Sequence, residues 1–373
     1  MKIIHQDCST PKKDGYRMPG EFEHHTGTWM LWPERHDNWR NGAKPAQQTF
    51  SKVAKAIAQF EPVTMCANPE QYENARAMLA DSKQIRVVEM TSNDSWIRDC
   101  GPTFVVNNEG DVRAVNWDFN AWGGLYDGLY FPWDQDPLVA LKVCEIERVV
   151  SYKPDHFVLE GGSIHVDGEG TVMVTESCLL SPGRNPKLTK NQIEEILSEY
   201  LNVEKIIWLK EGMDPNETNG YIDDVACYVR PGEVACIWTD DQKDPFYQLA
   251  HDAYDLLSGT VDAKGRNLKV YKLNLPQKPI RITLEEAEGV ENVEGTLPRK
   301  EGNLCPGSYI NFLIVNNGLI VPQFGDKNDA LALRQVQEMF PDRKVVGVLT
   351  REVVLGGGNI HCITQQQPSG KRT

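Results

Sequence analysis

Apolar and polar positions alternate with a period of two in paired stretches that recur along the chain, each pair joined by a short turn-forming segment. Residues 103–106 and 112–117 flank Asn-Asn-Glu-Gly, and residues 163–166 and 171–175 flank the turn at 167–170. Residues 225–229 and 234–238 flank Pro231-Gly232, and residues 309–315 and 319–323 flank the turn at 316–318. The pattern predicts four β-hairpins. Turn centres near 109, 169, 232 and 317 give spacings of about 60, 63 and 85 residues, which points to a repeat of pattern rather than of identity.

Between the hairpins the period lengthens to that of a helix. Residues 189–201 place Ile193, Ile196, Leu197, Tyr200 and Leu201 on one face, and Thr189 with Gln192 forms a capping-box pattern at the start. Residues 46–60 do the same with Phe50, Val53, Ala54 and Ile57, and 246–257 and 328–340 are further helices. The unit is hairpin, helix, returning strand. Residues 28–32 and 353–364 remain at opposite ends and would combine into a fifth unit. The expectation is an α/β fold of ββαβ repeats, a five-fold pseudosymmetric propeller around a central cavity, with residues 1–373 as one domain. On pattern alone, a two-layer α/β domain with unrelated hairpins is the alternative. The acidic run 285–294 is expected as a solvated surface loop or helix.

Charge narrows the function. The 373 residues carry 39 Lys+Arg against 53 Asp+Glu, a net charge of -14, which argues against a nucleic-acid binder. No apolar run approaches the roughly 20 residues a membrane span needs, and the first residues lack a signal-peptide core. A soluble, cytoplasmic protein without a membrane partner is expected. Nine cysteines, an odd number with no CxxC pair, fit neither a disulfide scaffold nor a structural zinc site.

The segments just before the hairpins carry the chemistry. They read Asp94-Ser-Trp-Ile-Arg-Asp99-Cys-Gly-Pro, Leu159-Glu160-Gly-Gly and Asn219-Gly-Tyr221-Ile-Asp223-Asp224, with Gly356-Gly-Gly-Asn359-Ile-His361-Cys362 on the C-terminal stretch, taken as a strand. If the units are related by rotation, Asp99, Glu160, Asp223 and Cys362 converge. Three buried carboxylates repel one another unless a cation lies between them. That cation could be a metal, an arginine such as Arg98, or a substrate. A hard-metal site has no need of a thiol beside it, whereas a planar guanidinium matches carboxylates in bidentate fashion. The adjacent cysteine then suggests attack on the guanidinium carbon.

These motifs, together with Trp32-Pro33, Asn120-Ala-Trp122-Gly-Gly124, Trp133-Asp-Gln-Asp136, Glu217-Thr-Asn-Gly220 and Val321-Pro-Gln-Phe-Gly325, resemble the agmatine deiminase family of pentein-type, guanidine-modifying enzymes. The resemblance spans almost the whole chain. It implies the five-fold propeller and hydrolysis of agmatine to N-carbamoylputrescine and ammonia, with no metal and no organic cofactor. It implies Cys362 as the nucleophile that forms an S-alkylthiouronium intermediate. Asp99 and Asp223 would grip the guanidinium nitrogens, and Glu160 would help hold and activate the group. Trp96 and Glu217 are expected at the far end of the substrate, on its methylenes and its ammonium, and Gly357 and Gly358 let the backbone pass close to it. A homo-oligomer is expected by resemblance.

One position departs from the family. Its third motif carries a proton-shuttling histidine where this chain has Tyr221, and a phenol near pKa 10 is a poor base at neutral pH. Three readings stay open: a substitution in an otherwise active enzyme, with a covalent adduct accumulating; replacement of the histidine by His165 or His361; or a guanidine-binding pseudoenzyme. Deimination of free arginine is a further alternative, and it would need a cation for the α-carboxylate that the acidic motifs do not supply. His361 is expected to face away from Cys362 if the segment is a strand.

Overall fold

The computed structural model describes residues 2–214 and 216–372, and their strands form five separate sheets. Four are built on the expected hairpins: Thr103–Asn107 with Asp111–Val115, His165–Val166 with Thr171–Thr175, Ala226–Arg230 with Glu233–Trp238, and Leu313–Val315 with Gly318–Gln323. In each, the second strand of the hairpin also takes a parallel neighbour further along the chain: Ser151–Lys153, Lys205–Leu209, Lys269–Asn274 and Lys344–Leu349. A parallel neighbour cannot be reached by a tight turn, so a crossover is required. The helices Asp136–Glu147, Lys190–Leu201, Tyr247–Ser258 and Asp329–Met339 supply it.

Distant parts of the chain build the fifth sheet. Gln365–Pro368 runs antiparallel to His25–Leu31, which pairs in parallel with Val63–Ala67 after the helix Lys44–Ile57. The helix Tyr72–Leu79 then leads to the outer strand Ile85–Glu89. The unit of two antiparallel strands, a helix and a parallel strand therefore occurs in all five sheets. The chain is a mixed α/β protein.

Local chemistry accounts for the helices. Thr189 accepts from the Gln192 amide at 3.3 Å while the Gln192 side chain accepts from the Thr189 amide at 2.9 Å, a capping box that satisfies two otherwise orphaned donors. The same helix buries Ile193, Leu197, Tyr200 and Leu201. Lys44–Ile57 opens with Pro45 in its first turn and buries Phe50, Val53, Ala54 and Ile57.

Two expectations are corrected. Residues 309–312 are not part of a strand, which spans only Leu313–Val315. The segment 353–364 is not a strand either: Arg351–Val354 is a helical turn, and the last hairpin partner begins at Gln365. Gly357 sits at φ +106, outside the range of an extended L-residue, and the amides beyond it close local turns, Ile363 to the Asn359 carbonyl and Thr364 to the His361 carbonyl, both at 3.2 Å. Alternation of residue types imitated a strand where the backbone is coiled. The acidic run begins in a short helix, Leu284–Glu288, capped by Thr283. Among the described residues no helix is long and apolar enough to cross a membrane.

Candidate active site

Each of the three acids stands at a single helical turn just ahead of its hairpin. Asp99 lies in Ile97–Cys100, Glu160 immediately precedes Gly161–Ser163, and Asp223 lies in Ile222–Asp224. The first two turns end where Gly101 and Ile164 return the chain to extended structure, and the third runs through Val225, still helical in backbone conformation, to the strand that begins at Ala226. Asn311 holds the corresponding place before Leu313–Val315, and Cys362 before Gln365–Pro368. Asn311 was missed in the sequence; its spacing from the fourth hairpin was the available signal.

A solvent-open cleft of about 530 Å³ is lined by Trp96, Asp99, Glu217, Tyr221, Gly357 and Cys362 among others, whereas Glu160, Asp223, Gly358 and Asn311 are not among its lining residues. Asp223 stands beside the thiol, its Oδ2 3.7 Å from Cys362 Sγ, and Asn311 Nδ2 is 3.3 Å from the same sulfur. The Asn311 Oδ1 accepts from the His361 amide at 2.9 Å, so one amide side chain fixes both the sulfur and its backbone. At Gly358 a Cβ would come within 2.7 Å of the Trp96 ring and 3.0 Å of the Cys362 sulfur, so only glycine fits between them.

The acids are held by different means. Asp99 accepts from the Trp122 indole at 2.9 Å and from the Gly162 amide at 3.1 Å. Burial nevertheless raises its carboxyl to about 7, assisted by the charges of Glu160 and Asp223. Glu160 forms an ion pair with Arg184 at 2.6 Å, and both side chains are almost wholly buried. Arg184 also donates to the Thr218 carbonyl at 3.0 Å and to the Trp122 carbonyl, tying the Glu160 and Trp122 segments together. Ala121 and Trp122 both take left-handed backbone conformations, an unusual cost for consecutive non-glycine residues that aims the Trp122 indole at Asp99.

Cys362 is a protonated thiol in this setting. Burial, then the charges of Asp223 and Asp224, push it well above its ordinary value. Tyr221 is buried, its hydroxyl has no hydrogen-bond partner, and burial followed by Asp99 and Glu160 drives its pKa well upward.

At the far wall, Trp96 stacks on Trp39 at 5.2 Å, and both indoles donate to Asp94, at 2.9 and 2.8 Å. Glu217 faces Arg299, which grips it with two nitrogens and also donates to Asn38 at 2.8 Å and to the Gly356 carbonyl at 2.7 Å. Sequence reasoning identified neither Arg299 nor Arg184, because each acts on a residue far from it in the chain.

One cluster has the composition of a metal site: Glu21, His165 and His361 bring donor atoms within 4.8 Å of one another. Both nitrogens of His361 are already engaged at 2.8 Å, by Asp223 and Glu21, and the His165 Nδ1 accepts from the Tyr228 amide at 3.3 Å. The set is a hydrogen-bonded network rather than an open ligand sphere.

Comparison with known proteins agrees with this arrangement. The family model described as Porphyromonas-type peptidyl-arginine deiminase matches residues 17–368. A Pseudomonas aeruginosa (strain LESB58) protein named agmatine deiminase is 58% identical over 364 residues, covering 98% of each chain. The structure of an agmatine deiminase of Enterococcus faecalis, described as catalysing its reaction, superposes with a TM-score of 0.95 at 60% identity, covering 98% of this chain and 99% of that one. A C. jejuni agmatine deiminase with a cysteine-to-serine substitution and substrate bound superposes at a TM-score of 0.79 with 26% identity, covering 96% of this chain and 97% of that one.

Fold and site thus define a guanidine-modifying hydrolase of the pentein type. The chain belongs to the Porphyromonas-type peptidyl-arginine deiminase family and, within it, to the agmatine deiminases.

Proposed function

We propose that the chain hydrolyses agmatine to N-carbamoylputrescine and ammonia through a covalent adduct on Cys362, in one catalytic domain over residues 1–373 whose five sheets form a pseudosymmetric propeller. The observation that carries this reading is that the Cys362 thiol and the Asp99 carboxylate line one cleft, with Asp223 against the sulfur. A guanidinium seated there answers the mutual repulsion of the acids. It also brings a positive charge to a thiol that burial holds protonated, favouring the thiolate at the moment of attack.

In the first step the sulfur bonds to the guanidinium carbon, and one nitrogen leaves as ammonia, taking the thiol proton. Asp99 and Asp223 hold the nitrogens, and Glu160, fixed by Arg184, supports the same end. Water then adds to the thiouronium carbon and gives up one proton to solvent, the C–S bond breaks, and the ureido product departs as the remaining hydroxyl proton returns to the sulfur. Trp96, Gly357 and Gly358 shape the channel for the methylenes, and Glu217 is the acid for the terminal ammonium. The cysteine-to-serine C. jejuni enzyme with bound substrate supports a nucleophilic role for the cysteine.

Tyr221 limits the second step in this reading. Its phenol is held protonated and cannot take a proton from water near neutral pH. His361 has both nitrogens engaged, and burial takes His165 down to about 3, so neither is placed to act as the base. The adduct accumulates. Free arginine is disfavoured because the lining sets Asp37, Asp94, Asp99 and Glu217 against Arg299, an excess of acids that suits an ammonium and repels an α-carboxylate. Homo-oligomeric assembly belongs to the same reading and is tested by light scattering.

Intact-protein mass spectrometry after mixing with agmatine, with ammonia followed in parallel, is the test. The expected result is one equivalent of ammonia and a Cys362 adduct equal to agmatine less ammonia. Agmatine that binds without adduct or ammonia would instead identify a guanidine-binding protein without turnover.

A further inference from the structure

Among the buried titratable groups that the proposed reaction does not use, one chain of contacts leads into the site. The His361 imidazole is buried, with Nδ1 2.8 Å from Asp223 Oδ2 and Nε2 2.8 Å from Glu21 Oε2. Carboxylates accept, so each nitrogen facing one must donate, and an imidazole that donates from both nitrogens is an imidazolium. Glu21 is itself fixed: its Oε1 accepts from the Ile314 amide at 2.7 Å. Asp223 Oδ2 is the atom that faces Cys362 Sγ at 3.7 Å.

Other groups packed around the pair do not offer it a different partner. His165 stacks on His361 at 6.0 Å, and its Nε2 lies 3.7 Å from Glu21. Its Nδ1 accepts from the Tyr228 amide, which leaves its proton on Nε2 and the ring neutral. Arg98 donates from Nε to the His361 carbonyl at 3.1 Å, so it secures the backbone rather than the ring. Arg343 adds a more distant positive charge near Glu21.

We propose that Glu21 is a positioning residue for the reaction: by holding His361 as an imidazolium between two carboxylates, it gives Asp223 a charge-assisted hydrogen bond that keeps it aimed at the guanidinium beside Cys362. This rests on the reading of Asp223 as a guanidinium-gripping acid. Burial and Arg98 oppose the charge on His361, and Glu21 with Asp223 outweighs them, raising its pKa. The charge on His361 in turn holds Glu21 low against the effect of burial.

Glu21→Gln tests the idea because its chemistry is constrained. The amide oxygen can still accept from Ile314, which turns the NH2 group toward His361 Nε2. Two donors cannot face each other, so Nε2 must give up its proton. The ring becomes neutral while Nδ1 still donates to Asp223, and Asp223 loses a charge-assisted bond without losing its neighbour.

Two readouts follow. Nitrogen-15 NMR of histidine-labelled protein, with His361 assigned by its loss in His361→Gln, should show both ring nitrogens protonated at neutral pH in the native protein and one in Glu21→Gln. Cys362 alkylation by 2-chloroacetamidine, a cationic guanidine mimic, should have its whole rate–pH profile lowered roughly tenfold in Glu21→Gln, the weakening expected when a charge-assisted bond to Asp223 becomes a neutral one. Alkylation by neutral iodoacetamide should keep its profile. A native His361 carrying one ring proton at neutral pH overturns the proposal without need of any variant. An amidine profile unchanged in Glu21→Gln overturns the positioning role alone, and a native protein with no preference for the amidine overturns that role together with the guanidinium reading.

Discussion

Arg299 holds Glu217 through two nitrogens while donating to the Gly356 carbonyl at 2.7 Å, so the acid at the far wall of the cleft and the glycine segment ahead of Cys362 share one cation. Glu217 is therefore a charge already paired before any substrate amine arrives. Replacing it leaves a guanidinium facing the cleft.

Glu217→Gln should consequently reverse the preference at the distal end. Agmatine affinity is expected to fall about 10- to 100-fold, the loss of a charge-assisted contact worth about 1.5–3 kcal/mol. Butylguanidine, which lacks the amine, should change little, and arginine, whose carboxylate can meet the freed Arg299, should gain relative to agmatine. Calorimetric titration of the three ligands checks this; equal losses for all three would mean that Glu217 serves only to hold the wall.

The Asp99 carboxyl, raised to about 7 by burial, Glu160 and Asp223, makes binding pH-dependent with a definite sign. A guanidinium favours the ionised acid, so below pH 7 a proton must leave as ligand binds. Affinity is expected to rise by up to about tenfold per pH unit until pH 7 and then level off. Proton release measured in buffers of different ionisation enthalpy should vanish above pH 8, and Asp99→Asn should abolish the slope.

Tyr221→His should convert a stalled protein into one that turns over. A general acid–base group contributes roughly 10²- to 10⁴-fold, and that gain is expected in kcat, with KM rising alongside it and kcat/KM nearly unchanged because the adduct no longer accumulates. Steady ammonia release is the measurement. No gain in Tyr221→His would place the slow step elsewhere.

Gly358→Ala tests how tightly the backbone must pass the sulfur. The added carbon would lie 2.7 Å from the Trp96 ring and 3.0 Å from Cys362 Sγ, so the thiol or the ring has to move. A displacement of about 1 Å costs on the order of 100-fold in rate. Adduct formation should fall by about that factor while far-UV circular dichroism stays native.

Much of the frame could be read in the residues because its determinants are local. The hairpin turns and the Thr189 capping box each act within a few positions, and the structure contains them. The segment around Cys362 was misread as a strand because Ile-His-Cys alternates like one, although the three preceding glycines mark a chain that coils. The site's supports were hidden for a different reason. Arg299 acts on Glu217 across 82 positions and Glu21 on His361 across 340, and no periodicity connects residues joined only by the completed fold. Asn311 was the exception that a stricter use of the repeat could have found.

The pairing of Gln365–Pro368 with His25–Leu31 also bears on how this protein is made. The strand that follows Cys362 finds its partner more than 300 positions earlier, a contact that carries a large loop-closure cost and forms late. A nascent chain stopped short of residue 368 has its acids and its arginines but lacks the full strand that anchors the thiol segment. Reactivity toward guanidines is therefore acquired only once residues 362–368 have been made, and products that stop short of them should accumulate as inert, edge-exposed species rather than as partly active enzyme.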